Sequence, residues 1–388
     1  MARPGGGGGG ANVISLRRGV RAYTPRRIGT HARIVILGIP NASTADETER
    51  QLPDVAAARR LIGSHSLLDV LLAERRKAWA SRIETDPALF ARTADAVRLA
   101  HARLALRHGR FGADFHPYHN EGHVLDICGE RLDRVLAAPG SDPLDLREAC
   151  LLMLFGAGHD LRQREAPHFY AGVGANERAS SGEMARILDL TGFSREADAD
   201  LFLALELAIA GSTFDARPPP GGGAAPSYNA AEQAQGGGAL AARLDVALDA
   251  HHPGWRGDAA FVRAHQLALV AADLDTASVA EPFARFATTA ENLCREREML
   301  AGRPLDSAES ALPALRFLTD GQERFFFDLH RFVSARGRAA FGAAKDANAP
   351  RLAALCARLR ARFERDGPPA TGQAVIDASR EERAFEPA

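Results

Sequence analysis

Two short segments of the chain contain histidine and carboxylate side chains of the types that bind divalent metal ions. The first begins at Tyr118 and contains His119 and His123, and the second is the pair His159 and Asp160. Residues four positions apart on a helix lie on one face, one turn from each other. His119 and His123 can therefore bind one metal or divide their roles around it. His159 and Asp160 add a nitrogen and an oxygen ligand.

A further carboxylate is needed to complete such a site, and Asp273 is the candidate. It lies in an otherwise apolar helix that is predicted from Phe261 to Asp275. Burial of a carboxylate without a partner is costly, so an Asp in such a run indicates a metal ion or an ion pair. Each motif alone is common on ordinary helices, whereas their joint occurrence on helical segments indicates a metal site.

Helical patterns surround both motifs. Asp86 and Pro87 predict a helix start, because Asp is a favoured N-cap and Pro suits the first helical position. This helix ends near Gly109, and the Tyr118 motif is predicted to open the next one. The apolar run that precedes His159 predicts a buried helix. The metal-binding side chains are thus expected at the edge of a helical core.

Every clear element is helical, so the predicted fold class is all-α. The predicted catalytic domain covers residues 65–365 and includes a continuous helix over about 310–340. Residues 1–60, which include six consecutive glycines, are predicted to be a flexible, disordered N-terminal extension. The Gly- and Pro-rich segment 215–238 is predicted to be a surface loop within the domain, and residues 366–388 a loose tail.

The composition excludes several classes of protein. Hydrophobic residues make up 46% of the 388 residues, which argues against global disorder. A formal net charge of −1 argues against a globally basic nucleic-acid binder, and no stable nucleic-acid binding is expected. No run approaches the roughly 18 apolar residues of a membrane helix. The four cysteines are far apart, which favours reduced core thiols. A cytoplasmic protein is expected, and its oligomeric state is not predicted.

The order of these motifs resembles the HD superfamily of metal-dependent phosphohydrolases. The pattern Tyr-His-Asn-x-x-His-x-x-Asp from Tyr118 to Asp126 resembles, more specifically, the signature of class I cyclic nucleotide phosphodiesterases. The 36 residues from His123 to His159 and the 113 from Asp160 to Asp273 are similar to that family's spacing. The resemblance covers residues 118–327 and implies a helical bundle of the HD-domain and phosphodiesterase type.

The resemblance implies a site with two divalent metal ions. Zn, Fe or Mn would occupy the first position and Mg or Mn the second, with a hydroxide between them as the nucleophile. Four residues would hold the first ion: His123, His159, Asp160 and Asp273. Asp160 would also bridge to the second ion. His119 would be the general acid that protonates the leaving ribose oxygen.

The resemblance also implies a pocket for a small nucleotide substrate. Gln322-x-x-Phe325 resembles the family's Gln-x-x-Phe motif, in which the Gln side chain hydrogen-bonds the base and the Phe ring stacks on it. Two alternatives stay open from the residues alone. Gln322 could be an ordinary exposed helix residue, and Phe325 belongs to an aromatic run that could be core.

Four further residues near the motifs are candidates for supporting roles. Asp126 lies one helical turn beyond His123 and either orients it or is a surface residue. Glu177 either holds a metal-bound water or is a carboxylate favoured by a helix N-terminus. Tyr118 and Asn120 either line the pocket or brace the neighbouring histidine.

The sequence departs from the family in three places, one of which is a shorter segment between Asp160 and Asn176. The family's HDxxH pattern is replaced by a run from His159 to Arg164 without the third histidine. Asp275-Thr276-Ala277 replaces the family's Asn-Pro after the last ligand. These changes affect the second metal and the phosphate pocket. Arg162 and Arg164 could instead contact a more highly charged phosphate, since a guanidinium pairs well with phosphate oxygens.

Three functions are consistent with the sequence. The favoured one is a metal-dependent phosphodiesterase acting on a cyclic or other small nucleotide. The second is a nucleotide phosphomonoesterase of the wider HD group. The third is a non-catalytic metal-binding sensor module, which is disfavoured because the candidate acid His119 is present.

Overall fold

A computed structural model describes residues 44–63, 66–139, 143–163, 174–215 and 238–384. These residues form an all-α fold, as predicted. The first eight helices are α1 Glu47–Gln51, α2 Val55–Ile62, α3 Leu67–Ala78, α4 Ala80–Ile83, α5 Pro87–Arg107, α6 Glu121–Asp126, α7 Leu132–Ala137 and α8 Leu146–Gly158. The remaining helices are α9 Ala175–Leu190, α10 Ala199–Ser212, α11 Leu244–His251, α12 Ala259–Asp275, α13 Phe283–Leu300, α14 Ala311–Arg316, α15 Ala335–Asp366 and α16 Gly372–Ala384. Phe214–Asp215 pairs antiparallel with Gly238–Ala239, and the loop between them lies outside the described residues.

Four helices form the core on which the metal motifs rest. Helix α10 packs against α12, and α5 packs against α8. In α8, all residues from Ala149 to Gly158 are buried, as its apolar sequence predicts. A capping box between Asp145 and Glu148 fixes where α8 begins. His159 follows α8 directly, so its position is set by a buried helix.

The domain begins earlier than predicted. Helices α1 and α2 lie within the predicted extension of residues 1–60 and both pack against α5. Asp46 and Asp54 cap their N-termini by accepting backbone N–H groups. The buried arginines of α5 extend the contact, since Arg103 donates to the carbonyl of Leu52 and Arg107 to Asp46. Residues 1–43 lie outside the described residues, so the rest of that prediction is not addressed.

The domain also ends later than predicted. Helix α16 lies in the segment predicted to be a loose tail and packs against α14 and α15. Val375 and Ile376 are fully buried there beside Leu318 and Cys294. Burial of this apolar face explains why the segment is ordered although its sequence is short and polar overall.

The predicted continuous helix over 310–340 is interrupted in the structure. Helix α14 ends at Arg316, and wider π-type turns follow over Phe317–Gly321 and Arg324–Leu329. An extended break then leads to α15, whose N-cap Ser334 accepts the backbone N–H of Gly337. The break is stabilised from elsewhere in the fold, because the backbone N–H groups of Val333 and Ser334, at its C-terminal end, donate to Asp273.

None of the helices in the described ranges is long and apolar enough to cross a membrane. The cysteines at positions 128, 150, 294 and 356 are all buried and free, as the sequence predicts.

Candidate metal centre and catalytic acid

The Tyr118 motif forms the start of α6. Asn120 is the N-cap, and its side chain accepts the backbone N–H of Gly122 while donating to the carbonyl of His116. Asn120 therefore fixes the local backbone, the bracing alternative of the two left open by the sequence. His123 follows in the first turn of α6, is only 3% exposed, and packs its ring against that of Tyr118 at 4.6 Å between centroids.

His159 is oriented by the helix that precedes it. Its Nδ1 lies 3.2 Å from the carbonyl oxygen of Phe155, one turn back in α8. An Nδ1–H donated to this carbonyl leaves the other ring nitrogen, Nε2, with a free lone pair. Nε2 is buried and makes no hydrogen bond within the described structure. This arrangement is typical of a metal-binding histidine.

Two carboxylates approach the histidines. Asp160 Oδ2 lies 3.0 Å from His159 Nε2 and 3.8 Å from His123 Nε2. Asp275 Oδ1 lies 3.3 Å and 3.2 Å from the same two nitrogens. The two imidazoles are buried, whereas the carboxylate side chains are 13% and 20% exposed. The cluster is therefore accessible from its carboxylate side.

The spacing of these four donor atoms fits a metal ion. Metal–ligand distances of about 2.0–2.2 Å place neighbouring donors about 3.0–3.4 Å apart in octahedral or tetrahedral shells. Three of the four nitrogen–oxygen distances, 3.0, 3.2 and 3.3 Å, fall in this range. Two nitrogen and two oxygen donors suit Zn, Fe or Mn. This donor set therefore suits a divalent transition-metal ion.

The charges in the cluster also favour a cation. Burial lowers the pKa of His123, so this imidazole is neutral and can act as a ligand. Burial acts in the same direction on His159, but Asp160 and Asp275 outweigh it and raise the pKa of His159 well above its usual value. Burial would raise the pKa of Asp275, yet the two histidines hold it far below its usual range. Two ionised carboxylates in a mostly buried site demand positive charge, which a divalent ion supplies.

Asp273, predicted as the fourth ligand, lies outside this cluster. Its carboxylate accepts the backbone N–H groups of Val333 and Ser334 at 2.7 and 2.9 Å, and the hydroxyl of Ser334 at 2.5 Å. Its role is to fix the chain before α15. The physical reason is helical geometry, because residues two positions apart point about 200° away from each other. Asp275 faces the histidines and Asp273 faces the opposite side of α12.

A buried ion pair holds the end of α12 in place. Arg131 donates to the carbonyl oxygen of Asp275 at 2.7 Å and to Glu281 at 2.8 Å. Arg131 and Glu281 are 2% and 5% exposed. Burial of two charges is favourable only when both are well paired, as here. Arg131 therefore positions the backbone that presents Asp275.

His119 is held by a carboxylate that the sequence did not identify. Glu296 of α13 accepts from His119 Nδ1 at 2.5 Å and from the backbone N–H groups of Tyr118 and His119. Glu296 is fully buried, whereas the His119 side chain is 12% exposed. The ring of His119 lies 6.2 Å from that of His123, nearly perpendicular to it. Its Nε2 is left available for a proton next to the metal cluster.

Asp126 does not orient His123. Its carboxylate is 39% exposed and accepts from Arg285 at 2.9 Å. His123 Nδ1 is buried without a hydrogen-bond partner in the described structure. Asp126 is therefore the surface residue of the two alternatives that the sequence left open.

Glu177 lies close enough to Asp160 and His159 for their charges to act on it, and Arg162 follows Asp160 by two positions. Burial raises the pKa of Glu177 to about 7, and the nearby charge of Asp160 acts in the same direction. Arg162 is buried and forms an ion pair with Glu49 at 3.3 Å, so its guanidinium is not placed to contact a phosphate. Its proposed companion Arg164 lies outside the described residues.

The segment that carries Gln322 and Phe325 borders the metal cluster through His330. The Phe325 ring lies 5.6 Å from that of His330, whose Nε2 lies 3.1 Å from Thr276 Oγ1. Thr276 follows Asp275 directly. Gln322 is 5% exposed and is therefore not the ordinary exposed residue of the alternative interpretation.

Three residues of the site were missed by the sequence interpretation: Arg131, Asp275 and Glu296. Asp275 could have been found, because it follows Asp273 by two positions in the same apolar helix and the two point to opposite faces. Arg131 lies eight residues after His123 and Glu296 lies on α13, and neither carries a local sequence signal.

The chain matches no protein-family model and no curated protein sequence. Among solved structures it is similar to the crystal structure of the phosphodiesterase domain of Salpingoeca rosetta rhodopsin phosphodiesterase. That likeness has a TM-score of 0.49 and 14% sequence identity, and covers 84% of this chain and 99% of the other. These values are too low to carry a conclusion about activity.

Proposed function

We propose that this protein is a metal-dependent phosphohydrolase that cleaves a phosphodiester of a cyclic or other small nucleotide. The observation that carries the proposal is the position of His119. A histidine braced by a buried carboxylate stands with its ring 6.2 Å from that of His123, a residue of the metal cluster. Hydrolysis of a phosphate ester needs both parts, a cation for the phosphoryl oxygens and an acid for the leaving oxygen.

Four residues would hold the first ion: His123, His159, Asp160 and Asp275. A divalent cation bound there supplies Lewis acidity at the phosphoryl group and lowers the pKa of water toward neutrality. Asp160 and Glu177 are the nearby carboxylates that a second ion, Mg or Mn, would use. The exposed edges of Asp160 and Asp275 mark the side from which substrate enters.

Side chains of the protein then transfer a proton to the leaving oxygen. Glu296 accepts the Nδ1 hydrogen of His119 and, as an anionic acceptor, holds the ring in place through a charge-assisted hydrogen bond. The Nε2–H of His119 protonates the leaving ribose oxygen, which avoids expulsion of an alkoxide. Tyr118 packs its ring against those of His119 and His123 at 4.8 and 4.6 Å, which limits rotation of both histidines.

The Gln322 segment supports the nucleotide part of the proposal. Phe325 is joined to the metal cluster through His330 and Thr276, so a base stacked on Phe325 would have its phosphate near Asp275. The buried side chain of Gln322 is suited to hydrogen-bond one edge of a base. Arg162, one of the two arginines that could contact a more highly charged phosphate, is paired with Glu49, which weakens the support for the monoester alternative.

A substrate screen tests the proposal. The purified protein is loaded with Mn²⁺, Mg²⁺ or Zn²⁺ and offered cyclic AMP, cyclic GMP, linear dinucleotides, nucleoside monophosphates and an aryl phosphodiester. Asp275→Asn, purified in the same way, is the control for contaminating phosphatases. Diester cleavage that is absent from the control supports the proposal. Cleavage of monoesters alone would instead support a phosphomonoesterase, and no hydrolysis of any ester would support a binding module.

A further inference from the structure

A second cluster of potential metal ligands lies between α5 and α6, outside the centre described above. His108 follows the last residue of α5, and His116 lies eight residues later in the connecting segment. The backbone N–H of His116 donates to the carbonyl of His108 at 2.9 Å, which closes the segment into a loop. The two imidazoles are 3% and 0% exposed, and their rings stack with 3.9 Å between centroids. Asp114, whose side chain is 65% exposed, covers them.

Three of the four ring nitrogens of this pair lack hydrogen bonds, and the fourth, His116 Nε2, is hydrogen-bonded to Asp114. Both nitrogens of His108 and Nδ1 of His116 are buried and have no hydrogen-bond partner in the described structure. Buried polar groups are almost always paired, so three unpaired nitrogens in two adjacent rings call for an explanation. Neutral imidazoles with free lone pairs are the form that binds metal ions.

One oxygen atom lies between the two rings. Asp114 Oδ2 is 3.3 Å from His108 Nδ1 and 3.1 Å from His116 Nε2. All three donor atoms lie within 4.8 Å of one another. The exposed Asp114 side chain can rotate freely, and small ring rotations of the histidines would bring the donors onto one ion.

We propose that His108, Asp114 and His116 form a further metal site that takes Zn²⁺ or a similar borderline transition-metal ion. Two imidazoles and one carboxylate are typical of sites with three protein ligands and an open position. Mg²⁺ and Ca²⁺ require mainly oxygen donors, and this cluster offers a single carboxylate. The open position faces solvent beside Asp114, so the ion can exchange.

The site would be linked to the catalytic acid, a consequence that rests on the proposed function. His116 Nδ1 lies 3.5 Å from Glu296 Oε1, the same oxygen that His119 Nδ1 contacts at 2.5 Å. A metal on His116 Nε2 fixes the ring proton on Nδ1, where it faces Glu296. His116 then competes with His119 for Glu296 Oε1. Metal binding at this further site is therefore expected to weaken the hydrogen bond between Glu296 and His119 and so to inhibit hydrolysis.

Metal counting tests the site without using activity. The full-length protein is stripped with chelator and titrated with Zn²⁺, and bound zinc per chain is measured. Asp275→Asn should still bind one zinc through the further site. Adding Asp114→Asn should weaken that zinc by at least about tenfold. Adding Asp346→Asn instead, an exposed carboxylate on α15, is the matched control and should change nothing.

Co²⁺ provides a second readout, because its visible absorption reports on imidazole ligands. In the Asp275→Asn background, His108→Gln should abolish the cobalt absorption, and melting curves verify that each variant is folded. If Asp275→Asn alone binds no zinc, or if Asp114→Asn and Asp346→Asn bind zinc equally, the further site does not exist. A protein that binds this zinc but hydrolyses no ester would disprove the proposed function and leave the further site intact.

Discussion

The Oδ1 atom of Asp275 lies 3.2 Å from Nε2 of His123, although 152 residues separate them in the chain. This contact joins the end of α12 to the first turn of α6 and completes a cluster with His159 and Asp160. The contact also distinguishes Asp275 from Asp273, which the sequence predicted as the metal ligand. The two residues are expected to respond very differently to substitution.

Asp275→Ala is expected to remove activity together with the metal ion of the His123 cluster. Loss of a direct ligand should weaken metal binding by more than the roughly 10- to 100-fold seen when only an outer partner of a ligand is lost. Metal content after gel filtration and turnover of the best ester measure the two effects. Full metal content in this variant would show that Asp275 is not a ligand.

Asp273→Asn is the contrasting change and is expected to lower stability instead. The amide cannot accept all three hydrogen bonds from Val333 and Ser334, and a buried unsatisfied group costs about 1–3 kcal/mol. Urea unfolding measures the free energy of unfolding, and metal content should stay at the wild-type value. Loss of metal at unchanged stability would restore Asp273 as the ligand.

His119→Ala is expected to keep the metal and lose activity by about 100-fold or more on substrates with a ribose leaving group. The loss should be much smaller for an aryl phosphodiester, because a phenolate leaves without help from an acid. Comparing the two substrates separates loss of the acid from general damage. An equal loss on both substrates would contradict the acid assignment.

Glu296→Gln tests how the acid is held. The amide can still accept a backbone N–H group, but it replaces the charge-assisted hydrogen bond to His119 Nδ1 with a weaker, neutral one. The variant should lose activity on substrates with a ribose leaving group and keep most of it on an aryl phosphodiester, the same leaving-group dependence as His119→Ala. An equal loss on both substrates would mean that Glu296 is only structural.

Arg131→Met is expected to destabilise the fold by about 3–5 kcal/mol, because it leaves Glu281 buried without its partner. Metal affinity should fall as well, since Arg131 also holds the carbonyl of Asp275. Adding Glu281→Gln removes the buried charge and should restore much of the stability but not the metal affinity. Recovery of both would show that Arg131 has no role in positioning Asp275.

His101 gives the protein a specific sensitivity to acid. Burial lowers the pKa of His101 to about 4, from an ordinary value of 6.5, and neither ring nitrogen has a hydrogen-bond partner in the described structure. His101 is therefore protonated below pH 6.5 in the unfolded chain but only below about pH 4 in the folded chain. The free energy of unfolding is unaffected by protonation of His101 above pH 6.5 and decreases as the pH falls from 6.5 to about 4. The loss is about 3 kcal/mol, at 1.36 kcal/mol per pKa unit.

His101→Leu removes this group while keeping an apolar side chain in the core. Urea unfolding between pH 7 and 4.5 should show a shallower loss of stability in the variant than in the wild type. Parallel curves for the two proteins would mean that His101 titrates normally in the folded state.

The sequence predicted the parts of this protein that depend on local patterns. The N-cap and proline at Asp86 and Pro87 placed the start of α5, and the apolar run before His159 placed a buried helix at α8. Histidine spacing identified His123 and the His159-Asp160 pair. These features are encoded within one or two helical turns, so periodicity and capping rules suffice to find them.

Features that depend on distant contacts were not predicted. The break before α15 exists because Asp273, some 60 residues earlier, accepts the backbone N–H groups of Val333 and Ser334. Helices α1 and α16 are ordered by packing against α5 and α14. Asp275 was overlooked because a family resemblance favoured its neighbour, although the two residues face opposite sides of α12.

Crystals of the protein grown with Mn²⁺ and measured at the manganese absorption edge test the central claim most directly. An anomalous peak is predicted about 2.0–2.3 Å from the ring nitrogens of His123 and His159 and from carboxylate oxygens of Asp160 and Asp275. A peak coordinated by Asp273, or the absence of any peak among these four side chains in protein that retains activity, would contradict it.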